Sequence, residues 1–497
     1  MAMRLTGLMS GMDTDSLIQE LVSARQSKVD DAKKTQTKQS WKQEAWKDLN
    51  SKLKNLQTKY LSSMRFSTAY AKKTTKVSND SVVSVITGED AVDGVQSLQV
   101  KQLAKTAYLT GAKVQTKDGR KATALTKVSD LSGFGADGNI TVDQNGKKTQ
   151  ITVDSNTTIS DVLNQLKDLG LNASFDENNQ RLFVSAKESG TANDFTMSGS
   201  GGALTALGLS MKNSGATKID AQDAEILLNG ATFTSNTNVF KINGLTFTAL
   251  STTKEGEEVT VTTQNDTDGI YDLIKNFLKE YNTIVNEMDK LYNADSAKGY
   301  EPLTDEEKEA MSESEIEEWE KKIKDSLLRR DESLSSVNSA MQAIMSSGIE
   351  VNGKTMYLSD FGINTLGYFN SGENEKHMYH IDGDPDDGNT SGKADKLKSL
   401  ISSDPDMVTS FFTKLSQNLY DKMTDMSKSV DGYRSFGSFY DDKKMKTDYD
   451  DYTSKIKELE RKLNDYEDKW YKKFAAMESA MARMQSNTSA LTGLLGG

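Results

Sequence analysis

Two helical stripes, one toward each end of the chain, constrain the fold more than any other feature. Trp46, Leu49, Leu53, Leu56 and Tyr60 recur at alternating steps of three and four residues, and Ile456, Leu459, Leu463, Tyr466 and Trp470 repeat those steps. Such spacing lays each set along one line of an α-helix, the seam from which coiled coils are built. The stretches that carry the stripes hold no Pro and almost no Gly. A lone helix is marginal in water, so each stripe needs apolar cover. The spacing therefore predicts that the two ends meet as an antiparallel coiled-coil stalk, with everything between them inserted on it.

Asp13 or Thr14 can cap a helix running from about Asp15 to Met64, with Leu17, Ile18, Leu21 and Val22 as its first apolar patch. Between Val29 and Trp41 the stripe fades into Lys, Gln and Thr, so that part is weakly held in isolation. From Thr74 the period becomes that of strands. Asn145-Gly146, Asn229-Gly230 and Asn243-Gly244 mark hairpin turns between them. Helical periodicity returns at about Asp268, Thr304 with Glu307 fits a capping box, and a long helix starts near Asp442.

The pattern predicts an α+β fold, elongated and multi-domain. Terminal leg helices span 1–45 and 455–497, and a helical stalk domain spans 46–73 and 268–454. A β-rich head comprises 74–115 and 216–267, with an outer head domain, 116–215, inserted in it.

Composition narrows the function. Hydrophobic residues make up 35% of the 497 and the mean hydropathy is −0.62, so much of the chain is solvated or elongated. The net charge of −12 argues against a nucleic-acid partner. Residues 15–73 carry 13 Lys/Arg against 6 Asp/Glu, and 301–325 carry 4 against 11. Both blocks read as solvated helix faces. The absence of Cys excludes a disulfide framework, thiol catalysis and thiolate metal sites. No apolar run is long enough to span a membrane, and no cleaved signal is visible. These features predict a cytoplasmic protein or one exported without a cleaved signal.

Catalytic and metal motifs are missing. His377, His380 and Asp382 could form a three-ligand cluster but read as polar residues at a strand edge. Asp382, Asp384, Asp386, Asp387 and Gly388 imitate a calcium loop, yet Asp387 stands where Gly is needed and Lys393 where Glu is needed. Ser198–Gly202 is followed by no Lys-Ser/Thr, and no Gly-x-Ser-x-Gly occurs. The expectation is no enzyme, no cofactor and no metal.

Four stretches resemble one family in order along the chain. Gly7, Leu8, Met9, Ser10, Gly11, Met12 and Asp13, followed by Leu17, Ile18, Leu21 and Val22, resemble the opening of the bacterial flagellar filament-cap (hook-associated protein 2) family. Met12 stands where that family often has Leu. Tyr281, Asn282 and Val285 resemble the start of its C-terminal region. Leu358, Phe361, Gly362 and Ile363 resemble a central element, and Phe474, Met477 and Glu478 its terminal helix. Glu301 to Asp331 resembles the Gram-positive, clostridial-type variant.

The resemblance implies a secreted protein that leaves by flagellar type III export and sits as a ring, usually of five copies, at the distal filament tip. It would retain exported flagellin and promote its ordered assembly. An export chaperone would bind the C-terminal helix. The residues implied to dock on flagellin are Gly7, Leu8, Gly11, Met12, Asp13, Leu17 and Leu21 at one end. At the other they are Phe474, Met477, Met481, Met484, Leu491, Leu494 and Leu495. The alternative is an adhesin that grips host mucin or glycan through the β-rich head.

Overall fold

The computed structural model describes residues 13–495, with side chains through Thr492. The chain forms two compact units, one ending at Tyr70 and resuming at Thr267, the other spanning Ala71–Asp266. The hand-over falls slightly ahead of the expected 73/74 and 267/268. The reason is strand Lys73–Val77, which pairs antiparallel with Val259–Asn265 and draws its flanks into the β-rich unit.

The helical unit begins with α1 (Thr14–Asn55). Asp13 caps it, its Oδ1 accepting from the Ser16 amide at 3.0 Å. A π-helical turn, Leu56–Leu61, and the short α2 (Ser62–Met64) carry the helix to the expected end. The π turn changes which side chain is buried. The next core residue after Leu56 is Leu61, five residues on, while Tyr60 is left half-buried at the edge.

The β-rich unit holds two separate cores. In the first, a five-stranded sheet (order 73–77, 259–265, 94–102, 224–228, 231–235) packs on a three-stranded one (239–242, 245–249, 83–87). Leu98, Val100, Ile226, Phe247 and Val261 lie between them. The second core is built from a four-stranded and a three-stranded sheet with α3 (Ile159–Asp168) and α4 (Ala203–Ala206). Thr158 and Asp161 form a reciprocal capping box at the start of α3. Val162 and Leu166 on its inner face meet Ile140, Val153, Leu182 and Val184.

This second core is inserted between strands 94–102 and 224–228, but over a longer stretch than the expected 116–215. Strands Thr106–Thr110 and Thr217–Ile219 belong to it, because Leu109 pairs with Val184 and Thr110 with both Phe183 and Thr217. The three expected Asn-Gly turns form, with both residues at positive φ (Asn145 51°, Asn229 49°, Asn243 51°). Asn352-Gly353 makes a further one in the helical unit, between strands 349–351 and 354–356.

The chain returns to the helical unit in α5 (Thr267–Asn293), whose apolar stripe from Ile270 to Met288 is buried. Then follow α6 (Asp305–Glu309), α7 (Glu313–Asp325), α8 (Glu332–Ser346), α9 (Lys396–Ser403), α10 (Pro405–Met426) and α11 (Asp442–Leu495). One continuous core joins Trp46, Leu49, Leu53 and Leu56 of α1 to Phe277 and Tyr281 of α5, Met341 of α8, and Phe411, Phe412 and Leu415 of α10.

Candidate docking surface of the terminal helices

α1 and α11 run antiparallel, and the polar contacts between them fix the register. The Tyr471 hydroxyl donates to Asp15 Oδ1 at 2.9 Å. The Arg25 guanidinium lies 4.0 Å from the centre of the Tyr466 ring. Lys33 pairs with Glu460 at 2.8 Å. Gln36 Nε2 donates to Thr453 Oγ1 at 2.6 Å, and Gln43 Nε2 to the Met445 carbonyl at 2.6 Å. Trp46 stacks on Tyr440, just before α11, with ring centroids 5.2 Å apart. Numbers rise in one helix as they fall in the other.

This register separates the two stripes, which were expected to form one seam. Trp46, Leu49, Leu53 and Leu56 face the core of the helical unit and are covered by α5 and α10. Ile456, Leu459, Leu463, Tyr466 and Trp470 lie along an earlier part of α1, where Thr14, Ile18, Val29 and Ala32 are buried. Of that second stripe Ile456 is buried and the other four are half-buried. A period identifies the face a helix must cover and carries no information about what covers it.

Beyond Tyr471, α11 continues past the first turn of α1, and residues 472–495 amount to roughly 36 Å of helix at 1.5 Å per residue. Aromatic rings four residues apart lead into this extension. Tyr466 and Trp470 are 6.2 Å apart, and Trp470 and Phe474 6.1 Å. Phe474, Met477 and Met481 follow half-buried, then Met484 and Leu491 at 64% and 58% exposure. On α1, Ile18 turns inward, while Leu17 and Leu21 stand 38% and 40% exposed beside the exposed cap Asp13. The expected docking residues Gly7, Leu8, Gly11 and Met12, and the side chains of Leu494 and Leu495, lie outside the described residues.

A further set of contacts joins α1 to the segment 301–331. Lys34, Lys38 and Lys42, on one face of α1, reach Glu307, Glu301 and Asp331 at 2.8, 2.5 and 2.7 Å. Three lysines of the basic block thus pair with acidic residues of 301–331, while Glu307 and Glu301 remain 47% and 57% exposed. Their signal was in the sequence, as four-residue spacing of lysines and opposite net charge.

The remaining polar clusters are closed on themselves. His377 Nδ1 is 2.8 Å from Asp289 Oδ2, and His380 Nδ1 is 2.6 Å from Asp387 Oδ2. Asp382 pairs with Lys393 at 2.9 Å. Lys275 Nζ sits in the calcium-like turn, 2.6 Å from both Asp384 and Asp386. Partial burial opposes its charge, but the two carboxylates outweigh that and raise its pKa. Among the described residues no three His, Cys, Asp or Glu side chains are grouped to hold a metal ion. No described helix is long and apolar enough to cross a membrane.

Residues 221–486 match the family model of the flagellar hook-associated protein 2 C-terminus, and residues 10–107 that of its N-terminus. The chain is 23% identical over 418 residues to flagellar hook-associated protein 2 of Halalkalibacterium halodurans, covering 77% of this chain and 78% of that protein. It is 27% identical over 309 residues to the A-type protein of Pseudomonas aeruginosa, covering 56% and 62%. The D1-D2-D3 domains of the Escherichia coli flagellar cap protein FliD superpose with a TM-score of 0.49 at 19% identity, over 76% of this chain and 95% of that one.

Proposed function

The chain belongs to the flagellar hook-associated protein 2 family, and from that premise we propose that it caps the growing flagellar filament. It works as a structural assembly protein, exported to the distal filament tip, where a ring of copies retains flagellin and orders its addition. The finer terms are a ring of five, an export chaperone on the C-terminal helix, and a clostridial-type variant. The acidic block Glu301–Asp331 supports the last of these.

One observation carries the reading of how the cap grips. α11 outruns α1 and carries Phe474, Met477, Met481, Met484 and Leu491 along the extension. Leu17 and Leu21 add apolar surface at the start of α1. These residues, with Gly7, Leu8, Gly11, Met12, Asp13, Leu494 and Leu495, are the proposed flagellin-docking set. Methionine side chains adapt to changing surfaces, which suits a leg that releases and re-engages as subunits add.

The test is truncation after Ser486 in a strain lacking its own cap protein. The shortened protein keeps its melting transitions, since no described residue beyond Met445 packs in or against any of the three cores. Filaments nevertheless fail to grow, and flagellin leaks into the medium. Normal filaments from the truncated protein would show that the terminal helices only hold each other.

A further inference from the structure

α1 has two apolar anchors. One is Thr14 to Ala32, against α11, and the other is Trp46 to Leu56, in the core of the helical unit. From residue 33 to residue 45 nothing in α1 is buried. Helices in proteins owe most of their stability to a packed apolar face, so this middle section needs another source.

The source is a lobe formed by residues 300–331. It is braced internally. Ile323 is buried, Lys308 of α6 pairs with Glu320 of α7 at 2.8 Å, and Trp319 Nε1 donates to the Glu301 carbonyl at 2.8 Å. Tyr300 and Trp319 pack with ring centroids 4.6 Å apart. The lobe meets α1 through charge. Lys34 Nζ donates to both carboxylate oxygens of Glu307, at 3.0 and 2.8 Å. Lys38 and Lys42, one and two turns on, reach Glu301 and Asp331. Lys324 of α7 returns the contact by lying 4.5 Å from the centre of the Trp41 ring. On the α11 side Lys33, Gln36 and Gln43 of the same section make polar contacts.

We infer that the acidic lobe is an ion-pair clamp on the N-terminal helix, gripping a section of it that has no buried residue and making that section releasable while both flanking anchors stay packed. The lysine face and the acidic lobe substitute for the missing stripe. Exposed Glu306, Glu309, Glu317 and Glu318 extend the negative field around the contact. The Lys34 ammonium in turn holds the Glu307 carboxyl below its ordinary pKa. The clamp sets how stiffly the leg is joined to its unit. Why a leg should flex rests on the capping reading, whereas the clamp itself is a property of the isolated chain.

Hydrogen exchange on the purified full chain tests it. Going from about 0.1 to about 1 M sodium chloride shortens charge screening from ~10 to ~3 Å. Three half-exposed pairs weakened together should speed amide exchange in residues 33–43 by about ten-fold, with 46–56 unchanged. The triple variant Lys34→Gln, Lys38→Gln, Lys42→Gln exchanges fast at both salt concentrations. Exchanging one pair, Lys38→Glu with Glu301→Lys, restores slow exchange that single Lys38→Glu loses. Low-salt exchange in the triple variant equal to that of the unaltered chain would overturn the inference. So would an acceleration spread evenly into 46–56, which would mean general loosening. Neither outcome bears on filament capping, and failure of capping would leave the clamp intact.

Discussion

Trp46 is the residue at which α1, the turn into α11 and the core of the helical unit meet, and replacing it by Ala tests that arrangement directly. Its side chain is 1% exposed. It stacks on Tyr440 with an interplanar angle of 9°. Trp→Ala in a packed core costs about 3–5 kcal/mol, from lost transfer energy plus the cavity left behind. About 0.5–1.5 kcal/mol of that belongs to the ring pair. At about 2.1 cal/mol/K per residue, the helical unit of roughly 300 residues shifts by about 1.6 °C per kcal/mol, so a mid-range loss of about 4 kcal/mol lowers its melting temperature by about 6 °C. Scanning calorimetry reads it, with the β-rich unit as internal control, since neither of that unit's cores contains a helical-unit residue. Trp46→Phe keeps a ring over Tyr440 and should lose clearly less. A fall below about 2 °C for Trp46→Ala, or an equal fall in the transition of the β-rich unit, would refute the reasoning.

The Asn-Gly turns differ in how much they depend on Gly. At Gly244 (φ +76°) an added Cβ would lie 2.5 Å from the Ala91 backbone nitrogen, whereas at Gly230 (φ +83°) it would meet nothing within 4 Å. Gly244→Ala should therefore destabilise the β-rich unit by at least about 1–2 kcal/mol more than Gly230→Ala, and equal melting temperatures would remove the argument. The acidic turn should respond to pH. Bonding to Lys275 lowers the pKa of Asp386. At Asp387 burial raises it, but bonds from His380 and the Asn389 amide prevail and lower it. A carboxylate whose folded pKa lies below its unfolded value contributes stability above the unfolded value and loses it as pH falls through the folded one. Exchange protection over residues 382–391 should drop below about pH 4, less so in Lys275→Met, where the partner of Asp386 is gone. Identical acid profiles for the two proteins would count against the lysine's role.

What could be read from the sequence followed from local rules. Asp13 caps α1, Thr304 and Glu307 form their box, and Asn145, Asn229 and Asn243 take positive φ before Gly, all as local chemistry requires. What escaped depended on partners or on backbone register. The spacing of the stripe from Trp46 points to a mate in α11, whereas α5 and α10 lie on it. A regular helix, stepping by three or four, puts Tyr60 in the seam, and the π turn moves Leu61 there with no residue type to announce it. Strands Thr106–Thr110 and Thr217–Ile219 could join either core by pattern, and only their pairing decides. Apolar spacing marks a stripe on α1 and on α11, but it does not say which of Leu17 and Ile18 faces outward.

The same magnitudes say why one leg would not suffice on the capping reading. Residues 472–495 form a helix long enough to persist only marginally by itself. Covering Phe474, Met477, Met481, Met484 and Leu491 draws on about 1.5–3 kcal/mol per large apolar side chain. Scaled to the half or so of each that is still exposed, the five together give about 4–8 kcal/mol. Association costs about 4–15 kcal/mol in lost translation, rotation and ordering. A single leg therefore roughly breaks even and detaches readily. Several legs on one ring share that cost, because once the first is seated the others bind at high effective concentration. A ring held this way stays on the filament while any one leg lets go. A polar section of α1 clamped by charge, with Lys34, Lys38 and Lys42 as its grip, would let that leg move without unpacking Trp46 and the core behind it.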